Sequence, residues 1–293
     1  PNTPICQGGS VAVAQHPGQI KEPAALLHGD GIVGADQLRR LLVRHHILRQ
    51  IPRGGKAPAM LVRHLWRHAF EEEADRQKFG FGFSQVATKS LIVGFNVEHI
   101  SDEGYLNNPY RAVRFLDSST DRGFSFATES YPRTRSSTAY SVNANYYLPY
   151  RAAVYGDART YSDTWGIQAK NFRIGYIQPY KDEWLFEFFV RYYEQDKADF
   201  YQDLFSRPNE FNFMARDKEM STYSNFTAGI SVAYEWQFSA SAMVKKSSIQ
   251  FEYDYMQFDY DDFRDVTAEA PVGEEPLFGF SANVIKVYAS IWY

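Results

Sequence analysis

Phe226-Thr227-Ala228-Gly229-Ile230-Ser231-Val232-Ala233-Tyr234-Glu235-Trp236 sets a larger apolar side chain at nearly every second position, with Thr, Gly, Ser, Ala and Glu between. Successive side chains of an extended strand point to opposite faces, so a period of two gives one apolar face and one polar face. Its length also matters, because about 9–11 tilted residues cross the hydrocarbon layer of a membrane. Working outward, the same alternation recurs. It is carried by Phe79, Phe81 and Phe83, then by Leu91, Val93, Phe95 and Val97, then by Thr138 through Leu148. It returns at Trp184 through Tyr192, at Ile249 through Tyr255 and at Ile285 through Tyr293. Two further segments, 152–163 and 167–178, alternate less cleanly but fit the spacing. The pattern predicts nine strands of roughly 9–14 residues.

The connections sort into two kinds. Short ones fall at 87–90, 149–152, 179–183 and 237–245. The others fall at 101–136, 164–166, 196–220 and 259–277, and three of these four are long, polar and rich in Asp, Arg, Pro and Tyr. Short turns on one side and long loops on the other is the arrangement of outer-membrane barrels, with the long set extracellular. A secreted β-sandwich also alternates, but its strands average five or six residues and it has no reason to sort loops by side. The expected fold is therefore all-β: an antiparallel transmembrane β-barrel of outer-membrane type over residues 71–293, in a Gram-negative bacterium. Bacterial barrels normally have an even number of strands, so at least one more is expected upstream, and a complete barrel has roughly ten to sixteen.

Composition agrees with this. Phe, Tyr and Trp make up 17% of the 293 residues, yet mean hydropathy is only -0.44. No run of about 18 apolar residues exists for a membrane helix; Leu91-Ile92-Val93-Gly94-Phe95 is about as long as the runs get. The single cysteine, Cys6, excludes an intrachain disulfide, and Ile5 before it is too large for a lipidation site. The sequence begins at Pro1 with no secretion signal, so an upstream leader is expected to have been removed or lost.

Residues 1–70 differ from the rest. They hold two aromatics, Trp66 and Phe70, and six of the seven histidines. Nine Lys and Arg stand against three Asp and Glu there, whereas the remainder carries 22 against 32. Three readings compete for this atypical basic, His-rich segment. It is a helical or disordered extension, since Leu38, Leu41, Leu42 and Leu48 fit helical spacing. It is a metal site on His64 and His68, which lacks the third and fourth ligands zinc wants. Or it is out-of-frame translation of DNA that once encoded strands.

The end of the sequence, Ile291-Trp292-Tyr293, closes an alternating strand on an aromatic residue. This resembles the insertion signal read by the bacterial barrel-assembly machinery, where the last residue is usually Phe. Several stretches also resemble an uncharacterised bacterial family, domain of unknown function 3570, predicted to form outer-membrane barrels. They are Ser84-Gln85-Val86, Tyr105-Leu106-Asn107-Asn108-Pro109-Tyr110-Arg111 and Tyr161-Ser162-Asp163-Thr164-Trp165-Gly166-Ile167. The likeness continues through Arg191-Tyr192-Tyr193-Glu194-Gln195-Asp196 and Ala198-Asp199-Phe200-Tyr201, covering about residues 76–293. Residues 1–70 do not share it. The resemblance implies a location and an architecture but no activity, so no catalytic residue carries over.

Candidate functional residues follow from the alternation. Charges expected on the lumen side are Glu98, Asp157, Arg159, Lys170, Glu187, Arg191, Glu235, Glu252, Asp254 and Lys286. Ionised groups there must be wet or paired. Mixed signs either cross-link the wall or line a water-filled path and bias its ion selectivity, in which case the acidic surplus favours cations. In the first long loop Tyr105, Asn107, Asn108, Tyr110 and Arg111 are candidates for ligand binding, since Tyr and Arg anchor recognition surfaces. The plainer alternative is that Asn107-Asn108-Pro109 builds a turn. Asp259, Asp261, Asp262 and Asp265 can be a calcium cluster or solvated loop charge. His99, the only histidine after residue 70, sits by Ser101 and Asp102 at an expected strand end. A lone histidine does not make a nucleophile–base–orienter set, so no enzyme, cofactor or metal is expected. Nothing here suits nucleic acid either. The expected function is passive passage or binding of small, unidentified solutes in a porin-like barrel. The alternative is a non-conducting barrel whose extracellular loops bind a partner.

Overall fold

The computed structural model describes residues 72–238 and 244–293. The readings made for residues 1–70, including the His64/His68 pair and the shifted frame, lie outside the described residues.

The fold is all-β. Nine strands form one antiparallel sheet: β1 (Ala74–Thr88), β2 (Leu91–Gly104), β5 (Thr134–Tyr147), β6 (Ala153–Asp163), β7 (Gln168–Tyr180), β8 (Trp184–Gln195), β9 (Tyr223–Gln237), β10 (Lys246–Arg264) and β11 (Leu277–Trp292). Each lies beside its neighbour in sequence. Two short strands, β3 (Ala112–Leu116) and β4 (Phe124–Thr128), pair as a separate hairpin inside the first long connection. Sequence periodicity did not reveal that hairpin, because five residues are too few to establish a period. Among the described residues β1 and β11 each pair on one side only, and the sheet is not closed between them.

Several strands run further than the alternation suggested. β2 reaches Gly104 and β10 reaches Arg264, where loops were expected from 101 and 259. The reason is physical: apolar alternation marks only the part of a strand with an apolar face to cover, while backbone pairing continues past it. Thus His99 sits within β2 rather than at its end, bonding the Thr138 hydroxyl at 3.0 Å, and Asp102 points to the opposite face to pair with Arg76 at 2.6 Å.

Register defines the two faces. Phe83 pairs with Phe95, Phe95 with Val142, Val142 with Ala158 and Ala158 with Phe172. The row continues through Tyr192 and Phe226. These residues share the apolar face, which is widely exposed: Phe81 is 66% exposed and Val287 63%. Soluble monomers rarely leave a continuous apolar face of this extent uncovered. On β8 this face runs from Trp184 to Tyr192, roughly 27 Å along the strand at about 3.4 Å per residue. At a tilt of about 35–45° that length rises about 19–22 Å, most of an apolar band about 25 Å tall. Trp184, Tyr234 and Trp236 cluster at the short-turn end, with centroids 4.6 and 4.8 Å apart.

The buried apolar clusters lie at the long-loop end. One comprises Tyr131, Trp165, Ile167, Ala198, Tyr201 and Ala215; a second comprises Val113, Phe205 and Met214. The long loops thus pack on one another as a cap with a core of its own.

Candidate functional site

Two regions carry the polar chemistry: the face of the sheet opposite the apolar one, and the loop cap. Over the paired register the polar face holds eight cations (Arg76, Lys78, Arg135, Arg159, Arg173, Arg191, Lys246, Lys286) and eight anions (Glu98, Asp102, Asp157, Asp163, Glu187, Glu235, Glu252, Asp254). The acidic surplus of the chain is therefore not on this face, and the cation preference drawn from it has no basis there. Asp157, Arg159, Glu187 and Arg191 all lie on it. Lys170 does not. It shares the apolar-side row with Phe172 and Ile174 and pairs with Glu194 near the long-loop end at 3.3 Å. Weak alternation around 167–178 put it on the wrong side.

Most of these charges are cross-linked. Glu98 bonds Lys78 at 2.5 Å and Arg159 at 3.3 Å, reaching across β5 to do so. Lys286 bridges Glu252 and Asp254, each at 3.0 Å. Lys246 pairs with Glu235 at 2.6 Å and Arg135 with Asp163 at 2.5 Å. At mid-height, glycine makes room for aromatic rings. Tyr155 lies over Gly175 and Phe189 over Gly229, where an added Cβ would stand 2.2 Å from the ring in each case. The Arg173 guanidinium stacks on Phe189, 4.1 Å from its centroid, and is 5.3 Å from that of Tyr155. Such cation–π contacts fix a cation without needing a carboxylate.

In the cap, Arg114 of β3 is fully buried and donates to Glu275 at 2.5 Å and to Asp203 at 2.7 Å. Asp203 also accepts from Arg216 at 2.8 Å and from the Arg264 backbone N–H at 3.1 Å. One carboxylate therefore gathers β3, the connection that follows β8 and the end of β10. Burial alone would lower the Arg114 pKa, but its bonds to Glu275 and the field of Asp203 raise it above the ordinary arginine value. Glu275 is held below the usual carboxylate range: Arg114 overcomes the upward push of desolvation. The sequence held no signal for this cluster, because its members are up to 161 residues apart.

Glu129 is a second buried acid. Its carboxylate accepts from the Tyr131 hydroxyl at 2.5 Å and from the Arg216 backbone N–H at 2.7 Å. Desolvation pushes its pKa up to about 7, with Asp217 adding to the shift. Asp217 pairs with Arg111 at 3.2 Å.

The five loop candidates occupy one side of this cluster. Asn107 donates to the Glu129 carbonyl at 3.0 Å and accepts from the Tyr131 N–H at 2.9 Å, which pins the loop. Asn108 accepts from the Tyr110 N–H at 3.1 Å through its side chain and from the Arg111 N–H at 3.2 Å through its carbonyl. That is the geometry of a turn. Arg111 is committed to Asp217, Tyr105 is half-buried, and only Tyr110 of the five is exposed. The Asp163-Thr164-Trp165-Gly166-Ile167 stretch is also a turn: the Asp163 side chain accepts from the N–H groups of Trp165 and Ile167 at 2.9 and 3.0 Å. Gly166, at φ +90°, faces the Asp199 carboxyl where a Cβ would collide.

The acids at 259–265 do not converge. Asp262 accepts from the Thr222 N–H at 2.9 Å and Asp265 from the Thr267 N–H at 2.9 Å. Among the described residues no three His, Cys, Asp or Glu side chains form a metal-sized group. At the far end, Trp292 of Ile291-Trp292-Tyr293 stacks against Lys246, 4.9 Å from its centroid, while Tyr293 is 91% exposed.

The stretch that holds strands β1 to β10 and the loop cap is matched by a family of proteins of unknown function, DUF3570, over residues 56–277. The chain belongs to this family. The DUF3570 match starts upstream of the change in composition, so residues 56–70 fall inside the family's span, against the reading that set all of 1–70 apart. It stops at the start of β11. No curated protein matches the DUF3570 chain. Among solved structures, an in-vitro folded outer membrane protein, OmpT of Vibrio cholerae in its trimer form, aligns with a TM-score of 0.44 at 9% identity. The alignment covers 74% of this chain and 56% of that one, so the chain spans little more than half of that protein's length. At that distance the likeness identifies neither fold detail nor function.

Proposed function

We propose that this DUF3570 protein is a barrel of the Gram-negative outer membrane whose hydrated lumen passes small solutes beneath a folded loop cap. One observation carries the reading: a sheet with a broad exposed apolar face carries sixteen ionisable side chains on the other. Lipid covers the first face without cost, while a dry lumen would charge several kcal/mol for each ion left uncompensated. Water on the polar side resolves this. The proposal includes delivery by the barrel-assembly machinery, and it includes no catalytic step.

The test is a planar-bilayer recording of the full chain refolded from detergent. Stepwise conductance is expected. A silent bilayer at high protein load would overturn passage. It would leave the second reading, a non-conducting barrel that binds a partner through its loops, which the independent cores of the cap favour.

A further inference from the structure

Arg191 is the exception in a wall of matched charges. It lies on β8 directly opposite Arg173 of β7, a like-charge pair that costs stability unless something sits between the two. Arg173 is stacked on Phe189 and shares the Glu187 carboxylate, 3.4 Å away, with the Tyr155 hydroxyl. Arg191 has weaker compensation, the field of Asp157 on the same face without a direct ion pair. Among the described residues its side-chain partner is the Asn225 amide oxygen at 3.2 Å, and no carboxylate pairs with it. The Nε atoms of both Arg173 and Arg191 are buried without a hydrogen-bond partner. Across the sheet the imbalance reverses, because Glu252 and Asp254 share the single cation Lys286.

We infer that Arg191, backed by Arg173, is a binding site for a small oxyanion inside the lumen. This rests on the barrel reading above and names the class of solute. The chemistry that recommends it is the guanidinium fork, whose parallel N–H groups match two oxygens of one carboxylate or phosphate. An oxyanion on the Arg191 guanidinium relieves its repulsion with Arg173. Asn225 is a neutral orienting partner: its own amide donates to the Gln257 carbonyl at 3.0 Å, and it accepts from Thr227, so its oxygen is turned toward Arg191.

The first measurement is equilibrium dialysis of inorganic phosphate against the full chain refolded in detergent, which needs no conduction. Saturable binding is expected, weakened about tenfold in Arg191→Gln and less in Arg191→Lys, which keeps the charge but loses the fork. Arg151→Gln, which removes an exposed cation at the short-turn end, is expected to bind like the parent. Acetate competition separates the sources: displacement at equal concentration marks a general oxyanion site, and failure to displace marks one for phosphate. Equal phosphate binding by parent and Arg191→Gln overturns the site. Conductance without Arg191-dependent binding sinks the anion site and spares passage; binding without conductance does the reverse.

Discussion

The wall and the cap are held together by the same residue types in opposite ways. In the wall, most partners sit on adjacent strands: Arg173 and Glu187 are 14 residues apart, and the strands that carry them are joined by a three-residue turn. In the cap, Arg114 reaches Asp203 at a separation of 89 and Glu275 at 161. Some of the wall's pairs, such as Lys78 with Glu98, stand partly exposed, where each contributes little, while Lys286 with Glu252 and Asp254 is largely buried. The cap's central arginine is sealed from solvent, where breaking a pair strands a charge. Removing a wall ion should therefore test function, and removing a cap ion should test structure.

The largest expected effect is in the cap. Arg114→Ala leaves Asp203 and Glu275 short of their shared cation, with an expected loss of about 3–5 kcal/mol. Limited proteolysis should cut loops 105–133 and 265–276 in the variant, while far-UV circular dichroism keeps its strand signal. If the sheet signal is lost with the loops, the two regions are one cooperative unit and the contrast fails.

The next effect is on pH. Desolvation raises Glu129 from 4.5 to about 7, so the folded cap holds a proton that the unfolded loops release. Its contribution to stability is complete below about pH 4.5 and is lost as pH rises through 7. The cap is expected to loosen between pH 5 and 8 by at most about 3 kcal/mol, seen as faster hydrogen exchange at 129–131 after correction for the intrinsic rate. Glu129→Gln, whose oxygen can accept from the Arg216 N–H while its amide donates to the Tyr131 hydroxyl oxygen, should flatten that profile. An unchanged profile would assign the pH response elsewhere.

A smaller effect is expected in the wall. Gly229→Ala drives a Cβ into the Phe189 ring and should cost about 1–3 kcal/mol in guanidinium unfolding of the micelle-bound protein. Smallest of all, Asp182→Asn breaks a pair whose side chains are 70% and 84% exposed, and no measurable change in the unfolding midpoint is expected.

How much was legible follows the same division. The facing of most of the wall could be read from residues such as Phe226, Ile230 and Tyr234, because period two is a local signal. The β7 stretch hid its facing: Lys170 sits in a row with Phe172 and Ile174, and one polar residue at the edge of an apolar row reverses the apparent parity. In the cap, Asn108 was readable as a turn former from its neighbour Pro109. Arg114, Asp203, Arg216 and Glu275 were not, since nothing in a sequence marks which charges will meet across a hundred residues.

The Arg114–Glu275 contact also bears on timing. Hairpins of the sheet can form one at a time, each closing a small loop at modest entropic cost. The cap's central pair joins β3 to the stretch just before β11, so it must wait until the six intervening wall strands are in register. Its formation then reports that β10 has joined the sheet, and a protease added during refolding should find the loops open until then.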